Sequence, residues 1–129
     1  MAITALYAGL LGLVYLVLTM RVIRRRQTRG INLGDAGDAA MERRIRGHAN
    51  FNEYVPFILI VMALLESGQA SSKLLHSLGA LTLVARVLHG YSFAFTEQWF
   101  LGRFYGALLT LIALALAALA ALHMGLSGL

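Results

Sequence analysis

The sequence predicts an all-α integral membrane protein, a bundle of four spanning helices. Three observations lead there. The chain of 129 residues is 59% hydrophobic, with a mean hydropathy of +0.72, against an apolar share of roughly 45–50% in soluble domains. Four largely apolar segments, the second of them with a polar first half, alternate with short polar stretches at a spacing that suits bilayer crossing. Eight arginines, from Arg21 to Arg46, fall between the first two segments, the clustering that marks cytoplasmic loops. The helices are expected over roughly residues 2–25, 39–67, 72–95 and 102–124, within one domain covering 1–129.

Segment one, Ala2 to Met20, carries no charge and is long enough to span. Its basic cluster, RVIRRRQTRG, follows the apolar run instead of preceding it, which argues for a retained helix over a signal peptide. The amino terminus is then external. INLGDAGDAA is a Gly/Asp-rich loop that offers Asp35 or Asp38 as a cap for the next helix.

Segment two, ERRIRGHANFNEYVPFILIVMALLE from Glu42 to Glu66, is divided. Val55 to Leu65 is apolar throughout, but its rise of only about 16 Å is half the ~30 Å hydrocarbon thickness. A spanning helix must therefore carry its polar first half into the membrane region as well. Charged groups at that depth face a bundle interior or a watery cavity. At 100° per residue Arg43, Arg46, Asn50 and Glu53 fall within about 80° of one another, forming one polar stripe, with His48 opposite. Such a stripe reads as a binding site or a seam between subunits. Pro56 is expected to kink the helix and leave the Asn52 carbonyl without its usual donor.

SGQASS makes a short external turn before segment three, Leu74 to Phe95, whose basic residues are His76, Arg86 and His89. Arg86, His89 and Phe93 share a face at i, i+3 and i+7. Arg86 needs a partner within the span, and Glu53, at similar depth, is the expected one, in a structural pair or beside a ligand. TEQWFLGRF forms a cytoplasmic link whose Trp99 and Phe100 suit the membrane interface. Segment four, Phe104 to Leu122, is rich in Ala and Leu, and its small residues favour close packing. Both termini are expected outside and both basic stretches inside.

Function classes narrow from here. With no cysteine, disulfides and thiolate metal sites are excluded, and any nucleophilic sulfur must come from a ligand. No two of the four histidines stand at i, i+3 or i, i+4, so no metal is expected. Aromatics are not interleaved with the basic run, which argues against nucleic acid. What remains is a cationic, amide-lined pocket at the cytoplasmic boundary, drawn from Arg46, Asn50, Glu53, Arg86, His89 and Arg103. Arginine is the planar donor suited to carboxylates, and a glutamate suits an ammonium. A zwitterionic ligand with several carboxylates fits that set.

The run Glu42-Arg43-x-x-Arg46-Gly47-His48-x-Asn50-x-x-Glu53-Tyr54-x-Pro56-Phe57 resembles the signature of the membrane-associated proteins in eicosanoid and glutathione metabolism, the MAPEG family. Ala85-Arg86-x-x-His89 and Arg103, at the entry to helix four, fall where that family's patterns expect them. The resemblance covers essentially the whole chain. It implies a homotrimer that binds glutathione between subunits on the cytoplasmic side, in what is expected to be a bacterial inner membrane. Arg46, Asn50, Glu53 and Tyr54 match glutathione-contacting positions of helix two, and Arg86 and His89 those of helix three. Arg103 matches the arginine that stabilises the glutathione thiolate in some members. The implied activity is that of a glutathione transferase or peroxidase, in which the thiolate attacks a lipophilic electrophile or reduces a lipid hydroperoxide. One position departs: where several members carry tyrosine, this chain has Phe93, and a hydroxyl contact is lost unless Tyr91 or Tyr105 substitutes. One arginine of the first cluster is also implied in the site, Arg21 and Arg24 lying closest to the membrane. Two other readings differ in kind: a catalytically silent binder of glutathione or lipid, and a small multidrug exporter. The exporters keep an essential carboxylate in their first helix, and segment one has none.

Overall fold

Apolar periodicity and good helix formers carry the chain through four long helices: α1 (Ala2–Arg29), α2 (Ala39–Ser67), α3 (Ser72–Phe95) and α4 (Phe100–Ser127). The computed structural model describes residues 1–128. Each helix is long and apolar enough to cross a membrane. α2 and α3 form the middle of the bundle, and α1 and α4 each pack against both of them. The protein is an all-α, four-helix integral membrane bundle.

Two helix ends differ from the sequence expectation. α1 does not stop near residue 25 but runs through the arginine cluster to Arg29. Arginine is a strong helix former, and positive charge at a carboxyl-terminal end is favourable. Gly30, at φ 64°, takes the left-handed conformation that ends the helix, and the Ile31 amide donates back to the Arg26 carbonyl at 3.0 Å. The arginines therefore stand as helical stripes, not as a loose tail. α4 begins at Phe100, so Arg103 lies in its first turn and the link from α3 shrinks to Thr96–Trp99. α2 runs on unbroken past Pro56.

Of the two candidate caps, Asp38 takes the role. Its Oδ1 accepts from the Met41 amide at 2.9 Å and its Oδ2 from Arg25 Nη2 at 2.6 Å, so one carboxylate starts α2 and ties it to the end of α1. Glu66 does the corresponding work at the other end of the bundle. From the last turn of α2 it accepts the Ile3 and Thr4 amides at 3.0 and 2.8 Å, capping α1 from a different helix.

The apolar half of α2 supplies the main core. Ile58, Val61, Met62 and Leu65, at i, i+3, i+4 and i+7, pack with Tyr7, Leu75, Leu78 and Ala117. A second cluster, Leu11, Leu18, Phe51, Val55 and Ala94, fills the space toward the arginine-rich end. α4 turns a stripe of small residues to α3, namely Gly102, Gly106, Thr110, Ala113 and Ala117, and leaves its large leucines outward. At Gly106 α4 comes directly against α3 backbone, since a Cβ there would stand 2.7 Å from the His89 backbone nitrogen.

Two outcomes follow from these contacts. Gly106→Leu would push a side chain into α3 backbone, and thermal unfolding in detergent should show a loss of about 1–3 kcal/mol or more. The Asp38 carboxyl is held below the usual carboxylate range, first by its hydrogen bond from Arg25 and then by the Met41 amide. Its folded value lies below its unfolded one, so its contribution is complete above the ordinary carboxylate range and fades as pH falls through the lowered value. Comparing the acid limbs of wild type and Asp38→Asn should show that pH dependence reduced in the variant.

Candidate functional site

The site grows from one costly residue. Arg86, in the middle of α3, is 0% exposed, and its charge lies within a membrane-spanning bundle. Three helices converge on it. From α2, the Asn50 Oδ1 accepts from Arg86 Nη1 at 3.0 Å, and the Phe51 ring lies 5.3 Å beneath the guanidinium carbon. From α4, Thr110 Oγ1 sits 3.4 Å from Nη1. The Thr110 hydroxyl gives its own proton to the Gly106 carbonyl at 2.7 Å, which leaves its lone pair for the arginine. Within α3, His89 Nδ1 stands 3.5 Å from Nη2, one turn along. Arg86 Nε has no partner among the described residues.

The pairing of Arg86 with Glu53 expected from sequence does not form. Among the described residues Arg86 makes no ion pair. Its nearest acceptor is the amide of Asn50, because α2 turns Asn50 toward α3 and leaves Glu53 exposed on the bundle surface. Arg46 is exposed as well. The polar stripe of α2 therefore splits: Asn50 faces inward, with Tyr54 beside it, Arg43 is half-buried, and Arg46 and Glu53 face out.

A second stack leads from Arg86 to the start of α4. The His89 ring lies on Phe93 with centroids 4.7 Å apart, and the Arg103 guanidinium carbon sits 4.9 Å from the centroid of the same Phe93 ring. Gly47 makes room for this, since a Cβ there would come 2.6 Å from the Phe93 Cβ. Phe93 thus serves as a cation–π platform under Arg103. Tyr91 packs on Phe95 and Trp99, and Tyr105 on Phe104, so neither tyrosine reaches this stack.

Asn50, Tyr54, Arg86, Ala107, Thr110 and Leu111 line a cleft of about 50 Å³. It can present a guanidinium, an amide and two hydroxyls to a polar ligand group. Of the residues named from sequence, Asn50, Tyr54, Arg86 and His89 come together, Arg103 joins through Phe93, and Arg46 and Glu53 stand apart. Thr110 was missed. It is uncharged and two helices from the signature, and its only signal was being the one non-aromatic hydroxyl within the Ala/Leu run of α4. No group of three or more potential metal-ligating side chains gathers among the described residues.

The sequence profile of the MAPEG family matches residues 4–123. The chain belongs to the MAPEG family. The chain is also 32% identical over 91 residues to the inner membrane protein YecN of Escherichia coli strain K12, covering 70% of each chain. YecN of E. coli O6:H1 strain CFT073 matches to the same extent. Family membership makes this a membrane protein of the glutathione and eicosanoid metabolism kind.

A guanidinium buried among neutral partners is held at a cost in stability, and an apolar group of similar length relieves it. Arg86→Met should therefore unfold in detergent at a temperature equal to or above that of wild type. A loss of more than about 1.5 kcal/mol, the usual limit for a tolerated swap, would mark Arg86 as a structural support instead.

Proposed function

We propose that this MAPEG protein is a glutathione-dependent membrane enzyme, a transferase that conjugates lipophilic electrophiles and also reduces lipid hydroperoxides. The observation that carries the reading is the buried Arg86 guanidinium, opening with Asn50 and Tyr54 into a cleft and lacking any carboxylate of its own. A carboxylate of glutathione supplies the missing counter-charge. The cleft of about 50 Å³ is too small for a tripeptide, which supports completion of the site by a neighbouring copy. Exposed Arg46 and Glu53 fit that arrangement, since polar groups on the outside of a spanning helix call for cover. The assembly is a homotrimer in this reading, with glutathione between subunits. Its membrane is a bacterial inner membrane, by analogy with YecN, and the arginine-rich end is cytoplasmic by charge bias.

Arg103 is the activating residue. A guanidinium beside the thiol favours the anion and so lowers the thiol pKa. The Phe93 face holds the guanidinium while its N–H edges stay free to donate. The thiolate then attacks an electrophilic carbon arriving from the bilayer, forming a C–S bond and expelling the leaving group or quenching the double bond with a proton. With a hydroperoxide the thiolate takes the terminal oxygen, the O–O bond breaks and the alcohol leaves. A second glutathione then displaces hydroxide, which leaves as water, to give the disulfide. Arg46, Asn50, Glu53, Tyr54, Arg86 and His89 bind glutathione.

One observation favours a second reading, a silent glutathione or lipid binder: Phe93 cannot donate where related sites carry a hydroxyl. An ultraviolet difference titration of glutathione into the solubilised protein separates the two. The enzyme reading expects a saturable thiolate band at neutral pH. Arg103→Ala should keep binding but raise the pKa of the bound thiol by about 1 to 2, the equivalent of one charge-assisted hydrogen bond at ~1.5–3 kcal/mol. Asn50→Ala should weaken binding itself. Binding without the band supports the silent reading, and full thiolate formation in Arg103→Ala would remove that residue from the mechanism.

A further inference from the structure

A second cationic region lies away from Arg86, at the arginine-rich end of the bundle. Arg21, Arg25 and Arg29, at i, i+4 and i+8 on α1, face Arg43 and Arg44 of α2 across a cleft of about 320 Å³ closed by the last turn of α3. Glu97 is the one carboxylate on its wall. Even counting Asp38, which Arg25 engages just beside it, three positive charges lack a counter-ion. The arginines are held in place. Arg21 donates to the Ala94 carbonyl at 3.2 and 3.0 Å and lies 4.5 Å over the Phe95 ring. Arg25 is fixed on Asp38, yet its Nε is buried without an acceptor. Arg43 and Arg44 make no side-chain hydrogen bond or ion pair among the described residues, although both are only half-exposed.

Phe95 is also the end wall of a different hollow. An apolar groove of about 160 Å³ runs between α1 and α3, lined by Val14, Val17, Val87, Gly90 and Tyr91. It presents almost no polar surface and faces outward from the bundle. Through Phe95 the arginine cleft and the groove adjoin, one for an anion and the other for a hydrocarbon chain.

We propose that the cleft and groove together form a site for one anionic phospholipid, its phosphate on Arg43 and Arg44 and an acyl chain along α1 and α3. Guanidinium groups grip phosphate oxygens in a bidentate manner. Basic pockets between spanning helices at the cytoplasmic boundary suit anionic headgroups. The three uncompensated charges select a headgroup with net negative charge over a zwitterionic one. The groove selects a lipid over a soluble phosphate. None of the residues gripping this lipid belongs to the Arg86 cleft, and the site stands whether or not glutathione is the substrate.

The test is native mass spectrometry of the full-length protein, released from detergent with phosphatidylglycerol and phosphatidylcholine of matched acyl chains. Wild type should retain phosphatidylglycerol about tenfold or more over phosphatidylcholine, and R43Q/R44Q should bring the two within about twofold. R43K/R44K, which keeps the charges, should restore part of the preference. V87W, which fills the groove, should weaken phosphatidylglycerol retention severalfold. It also carries the test alone if the arginine variant does not fold. Glycerophosphoglycerol, the headgroup without chains, should not displace the lipid at equal concentration. Equal retention of both lipids by wild type, an unchanged preference in R43Q/R44Q, or effective competition by glycerophosphoglycerol would each overturn the proposal, the last by showing a soluble-anion site instead.

Discussion

The structure depends on how a four-helix bundle accommodates one guanidinium in its middle. Arg86 is wholly enclosed, and no carboxylate lies against it. A charge in that position must be met by dipoles and a π face aimed at it. The bundle supplies the Asn50 amide and Phe51 ring from α2, the Thr110 hydroxyl from α4 and the His89 ring from α3 itself. Meeting those demands fixes the rotation of α2 and α4 about their axes. In the observed rotation Asn50 faces Arg86 while Glu53 and Arg46 stay outside. Thr110 can reach it only if the Gly102–Gly106 side of α4 lies on α3, which is where the small residues are.

The close approach of α4 follows from the same demand. Thr110 is a short side chain, so its oxygen comes within hydrogen-bonding range of Arg86 only when the helix backbones are near. Gly106, one turn earlier, lets the α4 backbone come against His89, and Gly47 similarly lets α2 close over Phe93. In a bilayer, burial of apolar surface drives helix association weakly, so close backbone packing and buried polar contacts carry more of the work. The glycines and the polar cluster are therefore parts of one solution, and the outward leucines of α4 are left to the lipid.

Much of this was legible in the sequence. Four segments, their order and the shared face of Arg86, His89 and Phe93 on α3 follow from hydropathy and helical phase. The partner of Arg86 did not. Charge and depth both favour Glu53, and nothing in the spacing of a single helix tells whether a stripe about 80° wide turns its Asn edge or its Glu edge inward. That choice is made by α3 and α4, through Thr110 and the glycines, and appears only once the helices are packed. Phe93 is a similar case. From sequence it is a missing hydroxyl, whereas in the fold its ring becomes the surface on which Arg103 rests. The end of α1 falls four residues later than hydropathy places it, because arginines prefer the helix and Asp38 holds Arg25 in it.

The two cationic regions handle their charge differently, and the difference carries functional meaning. Around Arg86 every contact is neutral and the space is small, so the charge is insulated from water and its field is strong. Around Arg43 and Arg44 the space is larger and more open, and the charges crowd one another with few carboxylates between them. An insulated single charge suits recognition of one carboxylate in a fixed pose. A crowded, open cluster beside an apolar groove suits a headgroup that can settle among several donors. Phe93 stands between them, on the wall of the arginine cleft and under Arg103. An occupant of the cleft would press against the face of α3 that supports Arg103, so the last turn of α3 physically joins the arginine cleft to the stack that leads to the buried cluster.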